Sequence, residues 1–464
     1  MTAAQRLAEW TTGLVLDEVP REVAEAAKLH LLDTLGCGLA AAALGVATEG
    51  RETMAELGGG DQATVIGGTG LPAPNAAFAN AMLCHGLDFD DTHSDSIAHV
   101  SVVTCPASLA VAEAGAASGQ GALAAIVAAN EVVIRVGMAA SGRFHARGFH
   151  PTAVCGIFGA TAAAARLGGL DSGRAASALG IAGSLASGVF AYLEDGTATK
   201  PIHPAWAAHG GLVAARLAAH GAEGPPSIFE GKFGLYHAFL GAGKGEIDLD
   251  AQLADLGSRW ETPRIAYKPY PACHFMHGAV GATAEAGAGG LSPEDVEEIV
   301  VTVPAAGVDL VLEPTAAKVA PRTTYEAKFS LQYSTAAMIV HGRCGVTTYA
   351  DDAIRDPRVL ELAKRVRYET KDYPTYPAAF PGGVRITTRD GRTLEADLPH
   401  QRGGPENPMT PGEVREKYRE NAGLALEAEA VEALEEALLT LEERDDLRAA
   451  LAPLAAAALE RAPD

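Results

Sequence analysis

The residues best suited to proton transfer are crowded into the run His85-Gly86-Leu87-Asp88-Phe89-Asp90-Asp91-Thr92-His93-Ser94-Asp95-Ser96-Ile97-Ala98-His99. Three histidines and four aspartates in 15 residues supply acid–base groups that titrate near neutral pH. The plainer alternative is a solvated loop whose aspartates cap the following helix. A calcium loop counted from Asp88 needs glycine at its sixth position and a carboxylate at its twelfth, and His93 and His99 stand there instead. A magnesium–diphosphate site built from Asp90, Asp91 and Asp95 needs a second acidic motif and an aromatic pocket, and the sequence offers neither.

Three further stretches carry isolated polar groups. In Arg147-Gly148-Phe149-His150-Pro151-Thr152 the histidine sits at the mouth of a Gly/Ala-rich helix, where the helix dipole disfavours its cation. In Gly196-Thr197-Ala198-Thr199-Lys200-Pro201-Ile202-His203-Pro204, Lys200 is the only Lys or Arg between Arg174 and Arg216. A compact ammonium in such apolar surroundings suits a carboxylate. In Tyr267-Lys268-Pro269-Tyr270-Pro271-Ala272-Cys273-His274-Phe275-Met276-His277 the prolines enforce an extended entry, and a helix is expected from about Cys273. That start puts Cys273 and His277 one turn apart on one face, suited to lining a site. Each isolated group has an ordinary structural alternative: a buried core histidine, or a lysine on a surface loop.

Other chemistries lack their residues. No Walker-type loop, no GxGxxG after a strand, no HExxH, no GxSxG elbow and no CxxC pair occurs. The six cysteines (Cys37, Cys84, Cys105, Cys155, Cys273, Cys344) are widely spaced, against a zinc cage or disulfide framework. The formal net charge of −22, with no basic cluster, disfavours nucleic acid and anionic membrane. A site for an anionic substrate must then be locally basic. The N-terminal stretch lacks a signal-peptide pattern, and apolar runs are broken before 18 residues, so a soluble cytoplasmic protein with no membrane partner is expected.

The elements that must position these groups follow from length and pattern. A chain of 464 residues, 48% hydrophobic but only 6% aromatic, suggests two domains, one a dense packing of Ala/Gly-rich helices. Pro20-Arg21-Glu22-Val23 opens a helix with apolar positions Ala24, Ala27, Leu31, Leu32 and Leu35. Helical stretches follow near 74–86, 102–118, 121–140, 152–167, 172–188 and 204–220. The pattern changes near Arg264. Ser292-Pro293-Glu294-Asp295 reads as a helix cap leading into the strand-like run Val300–Val303. Helical segments are expected at 325–341 and 351–366. Val384–Thr388 and Arg392–Ala396 flank Asp390-Gly391 as a β-hairpin. From Pro411 the chain is helical again. The expectation is a mainly α protein: an all-helical domain from residues 1–264 and 405–464, and a smaller α+β domain from 265–404.

Taken together, the stretches HGLDFDDTHSDSIAH, GFHPTAVCGIFGA, TKPIHPAWAAHGG, EGKFG (230–234), KPYPACHFMH, KFSLQYS (328–334) and NPMT (407–410) resemble the MmgE/PrpD family, in family order across almost the whole chain. That family includes 2-methylcitrate dehydratase, cis-aconitate decarboxylase and iminodisuccinate epimerase. The resemblance implies a large helical domain made from both chain ends, a homodimer, and no metal or organic cofactor. Carried over by position, it implies active-site roles for Asp88, Thr92, His99, His150, Lys200 and Lys268. His93, Cys273 and His277 are expected beside substrate. The residue after KPYPA is histidine in the decarboxylase branch and Cys273 here. Where that branch has a tyrosine after the first strand of the small domain, this chain has Pro304-Ala305-Ala306-Gly307-Val308.

The implied reaction is proton abstraction α to a carboxylate of a small polycarboxylate. Lys200 and Lys268 would stabilise the charge that builds up, with Thr92 as an orienting donor. His99 and His150 would act as base and acid, and Asp88 would fix a histidine tautomer. A 2-methylcitrate dehydratase-like hydro-lyase is the first expectation. A dicarboxylate epimerase or isomerase, a cis-aconitate-type decarboxylase, and an inert binding or assembly protein on the same fold are the alternatives.

Overall fold

The computed structural model describes residues 1–195, 197–243 and 245–458, divided into two compact units, Met1–Ile265 with Thr410 onward, and Ala266–Met409. The first unit is built on α1 (Arg21–Ala43), α2 (Ala73–Gly86), α3 (Ser101–Ala114), α4 (Gly119–Met138), α5 (Pro151–Leu167), α6 (Ser172–Leu185) and α7 (Ile202–Ala219). Their small side chains allow close approach. A Cβ on Gly211 of α7 would stand 2.6 Å from the Ala160 Cβ of α5, and one on Gly159 would stand 2.8 Å from the Ala129 carbonyl of α4. α5 and α7 run side by side in the same direction, because Ala160 meets Gly211 in mid-helix and His150 meets His203 at the starts. Two helix N-termini therefore open at one place. α4 is long and apolar enough to cross a bilayer by length and composition, but 89% of that window is buried in this unit.

The first unit is not wholly helical. β1 (Ala63–Val65) and β2 (Gly68–Leu71) form an antiparallel hairpin between the helix Glu49–Leu57 and α2. These strands are too short for a period-two pattern, and the connection uses Gly67 in the left-handed region (φ 64°).

In the second unit α8 (His277–Gly287), α9 (Leu331–His341) and α10 (Pro357–Ala363) accompany a four-stranded sheet. Its strands are β3 (Val296–Val303), β4 (Val366–Thr370), β5 (Gly382–Thr388) and β6 (Thr393–Leu398), in the order β4-β3-β5-β6. β3 and β4 are parallel, and the other pairings are antiparallel. The Asp390-Gly391 hairpin closes with Thr387 opposite Thr393 and Gly391 at φ 84°. Ile299, Val301, Val384 and Ile386 bury their side chains in the core of this unit.

Several boundaries differ from the sequence expectation. Residues 293–295 form one 3₁₀ turn rather than a helix, and β3 starts at once. The helix expected over 325–341 is broken, because Ser330 accepts from the Tyr333 amide (3.0 Å) and starts α9 anew. The helix expected over 351–366 shrinks to α10, whose start is set by Asp356 accepting from Arg358 N (2.9 Å), and the missed strand β4 takes over at Val366. Cys273 precedes a 3₁₀ turn (His274–Met276) and lies outside α8, so the one-turn spacing to His277 does not hold.

The chain returns to the first unit as α11 (Pro411–Ala422), α12 (Ala428–Leu439) and α13 (Leu447–Ala455). Thr410 and Glu413 close a capping box on α11, which packs along α1 with Tyr418 against Gly36. Lys417 of α11 is buried, and its Nζ lies 2.8 Å from Asp33 Oδ1 on α1. Removing one partner of such a pair strands the other charge in the core. Lys417→Met is expected to lower unfolding stability by about 3–5 kcal/mol in urea titration, and Asp33→Asn added to it is expected to recover most of that loss. Equal stability of the single variant and wild type would refute the assignment.

Candidate active site

The loop between α2 and α3 is pinned from behind before it presents anything forward. Lys417 Nζ donates to the Phe89 carbonyl (2.8 Å) and stands 3.9 Å from the Phe89 ring centroid. Asp91 turns toward α1 and α3. Its Oδ2 lies 2.9 Å from His30 Nδ1, and its Oδ1 accepts from the Ser101 amide (3.2 Å), satisfying a donor at the N-terminus of α3. The His99 amide donates to Thr152 Oγ1 of α5 (2.9 Å), tying the loop's end to the next helix. Two residues without glycine's freedom, Asp88 (φ 54°) and Ile97 (φ 53°), are held in the left-handed region.

The front of the loop faces a group of imidazoles. His85, in the last turn of α2, donates from Nδ1 to Asp90 Oδ1 (2.9 Å), and Nδ1 of His99 lies 2.8 Å from Asp90 Oδ2. A carboxylate only accepts, so a ring nitrogen this close to Asp90 carries hydrogen, and Nε2 is the nitrogen each ring turns away from it. Thr92 Oγ1 is 3.3 Å from the same His99 nitrogen. His150 occupies the N-cap position of α5, and its Nδ1 is 3.0 Å from Nδ1 of His203 in the first turn of α7. Ring centroids are 4.6 Å apart for His85–His99, 6.1 Å for His85–His150 and 6.0 Å for His99–His150. Phe190 packs against His150 at 5.3 Å and Tyr192 against His203 at 5.7 Å.

Lys200, in the turn before α7, lies 2.7 Å from Asp88 Oδ1. Burial alone would weaken its ammonium, but the Asp88 carboxylate outweighs burial and holds its pKa above the ordinary value. Lys200 is therefore a firm cation. Burial pushes His99 down to about 4 despite Asp90, and His203 likewise to about 4. His150 is driven well down by burial and by the nearby Lys200 charge. The two helix N-termini act in the same direction. Asp90, although buried, is kept ionised by His85 and His99. The arrangement is one ionised carboxylate beside two rings, neutral imidazoles at His99, His150 and His203, and an ammonium paired with the Asp88 carboxylate. One ring nitrogen from each of His85, His99 and His150 lies within 4.8 Å of the others, and donor atoms of Asp88, Asp90 and His99 meet the same limit.

Of the residues singled out in the sequence, Asp88, Thr92, His99, His150 and Lys200 come together here. His93 does not present a free ring: Ser96 Oγ is 3.1 Å from its Nδ1, and Glu261 Oε2 is 3.4 Å from its Nε2. It locks the turn. Lys268, Cys273 and His277 belong to the second unit, where all three are buried and His277 Nε2 bonds the Ala272 carbonyl (3.0 Å). The carboxylate that fixes histidine tautomers is that of Asp90, whereas Asp88 holds the lysine; the sequence reading had assigned the tautomer role to Asp88. His85, Asp90 and His203 were missed as members of the site, although all three stand inside the stretches already singled out.

The chain matches the MmgE/PrpD N-terminal domain over residues 5–248 and the MmgE/PrpD C-terminal domain over residues 270–443. It is 27% identical to the cis-aconitate decarboxylase-like protein oryM of Aspergillus oryzae, covering 96% of each chain. It is 29% identical to human cis-aconitate decarboxylase (94% of this chain, 90% of the human one) and 26% identical to that of Aspergillus terreus (95% and 93%). With matches running through both units and nearly from end to end, this chain belongs to the MmgE/PrpD family.

Proposed function

We propose that this protein is a lyase acting on a small polycarboxylate, working by proton transfer at carbon next to a carboxylate without a resident cofactor. The observation that carries the reading is the convergence of neutral imidazoles, one of them backed by the Asp90 carboxylate, on one firm cation. His99 Nε2 carries a lone pair, is backed by an ionised carboxylate, and gains a stabilised N–H when it takes a proton. The Lys200 ammonium, and the two helix N-termini, favour a substrate carboxylate and the charge that develops on it. His150 serves as the second proton-transfer group, with His203 holding its ring. Lys268 is proposed as the second cation and Thr92 as an orienting donor.

Three outcomes can use these groups. In dehydration, the base removes the α-proton, the electron pair forms the double bond, and a hydroxyl on the β-carbon leaves with a proton from the acid. In decarboxylation, carbon dioxide departs, its electron pair enters the conjugated system, and carbon takes a proton from an imidazole that has drawn it from water. The relatives named cis-aconitate decarboxylase favour the second outcome. Cys273 and the Pro304–Val308 stretch, where the decarboxylase branch has histidine and tyrosine, favour the first. Reprotonation from the opposite face, an epimerisation, remains the third arm. A homodimer in the cytoplasm is proposed with this reading.

Incubating the full chain in heavy water with 2-methylcitrate, cis-aconitate and succinate derivatives, followed by NMR, is expected to show carbon-bound deuterium on at least one acid. Loss of water or release of carbon dioxide then names the branch, and absence of exchange on every acid would leave an inert scaffold. His150→Ala and Lys200→Met are expected each to lower turnover by about 10²–10⁴-fold with Tm near wild type. Unfolding of both variants would make these residues structural. Asp90→Asn, which keeps shape but presents a donor to one ring, is expected to cost about 10⁴-fold and to change the His99 tautomer in nitrogen-15 spectra. Unchanged spectra would remove Asp90 from its role.

A further inference from the structure

Proton transfer by His99 and His150 leaves one buried imidazole without work. His85 is 1% exposed, its Nδ1 is bound to Asp90, and its Nε2 has no hydrogen-bond partner among the described residues. A buried unpaired ring nitrogen is costly unless something completes it. Beside it stand His99 and His150, likewise buried, each with one ring nitrogen within 4.8 Å of the others.

We propose that His85, His99 and His150 form a binding site for a borderline divalent cation of the zinc class, and that occupancy of this site shuts off the proton chemistry. Three imidazoles on a tetrahedral ion at about 2.0–2.1 Å place their ring centroids about 5 Å apart. The observed 4.6, 6.0 and 6.1 Å bracket that value, so small ring movements complete the geometry. The supporting shell is already built. Metal-bound histidines hold their second nitrogen on a carboxylate or another acceptor. Here Asp90 takes Nδ1 of His85 and of His99, and His203 takes Nδ1 of His150. With every Nδ1 committed, Nε2 is the nitrogen each ring has left to give.

The electrostatics agree. The Asp90 carboxylate offsets the ion's charge, and the Lys200 ammonium is paired with Asp88. Three protein ligands leave a fourth position for water or a substrate carboxylate. Binding itself is independent of any assigned reaction. The inhibitory consequence rests on the proposed function, because the ion consumes the lone pairs that the base and acid need.

The test uses the full chain stripped with a chelator. Cobalt chloride is expected to give the visible absorption of tetrahedral cobalt, saturating at one equivalent per chain. Zinc chloride, titrated against a chromophoric competitor, is expected to displace it at the same stoichiometry. His85→Asn is expected to weaken zinc at least about 100-fold and Asp90→Asn about 10–100-fold, while His220→Asn, at an exposed position, leaves it unchanged. Where His85→Asn lacks the wild-type circular dichroism, His150→Asn takes its place. Absence of a one-to-one complex, or affinity indifferent to these substitutions in folded protein, overturns the site. Deuterium exchange unaltered by one equivalent of zinc overturns the inhibition alone. A protein that exchanges no acid yet binds zinc fails the proposed function and keeps the site.

Discussion

A carboxylate with no exposure to water, Asp90, is the constraint on which the site depends. Burying such a charge is expensive unless each oxygen is given a donor. Here Oδ1 takes the Nδ1–H of His85, and Oδ2 stands 2.8 Å from Nδ1 of His99. The same contacts that make Asp90 tolerable therefore decide the tautomer of two rings and the direction of their lone pairs. Stability and chemistry are set by one pair of contacts.

Holding Asp90 in that position requires support from a remote part of the chain. Lys417, on a helix that follows the whole second unit in sequence, grips the carbonyl of the residue just before Asp90 while pairing with Asp33. Asp91, the residue after it, is anchored to α1 and to the start of α3. With both neighbours tied back, Asp88 and Asp90 are left to face the imidazoles, and the left-handed backbone at Asp88 is retained by these ties. The first unit thus needs its C-terminal helices to shape a loop laid down before residue 100.

Much of this was legible in the sequence, and the rest failed for identifiable reasons. The helices of the first unit follow from apolar spacing, Pro20 and the Gly and Asp punctuation, and lie within a few residues of where the pattern puts them. The Asp390-Gly391 hairpin is equally plain, because turn chemistry and alternation agree. The hairpin at Ala63–Leu71 was invisible: three- and four-residue strands rich in glycine carry no period. Composition located the loop of residues 85–99, yet spacing cannot say which of Asp88 and Asp90 meets a ring, since the answer lies in a positive φ that an aspartate only occasionally adopts. His85 looked like the tail of a helix and His203 like the start of one, and only the folded arrangement joins them to His99 and His150. The metal reading fails in sequence for the same reason. Ligands drawn from α2, the loop and α5 share no local pattern, whereas sequence motifs for metals rest on ligands a turn or a hairpin apart.

The contact between His150 and His203 has a consequence of its own. Both rings present the same kind of nitrogen to each other at 3.0 Å, so a single hydrogen must sit between them. When it belongs to one ring, that ring's far nitrogen is bare and its neighbour's far nitrogen is capped. When a proton arrives at the bare far nitrogen, the shared hydrogen can cross and the neighbour's far nitrogen release its own, and both descriptions then exchange. Neither ring has to rotate, and only hydrogens have to travel, for the face that receives a proton to become the face that delivers one.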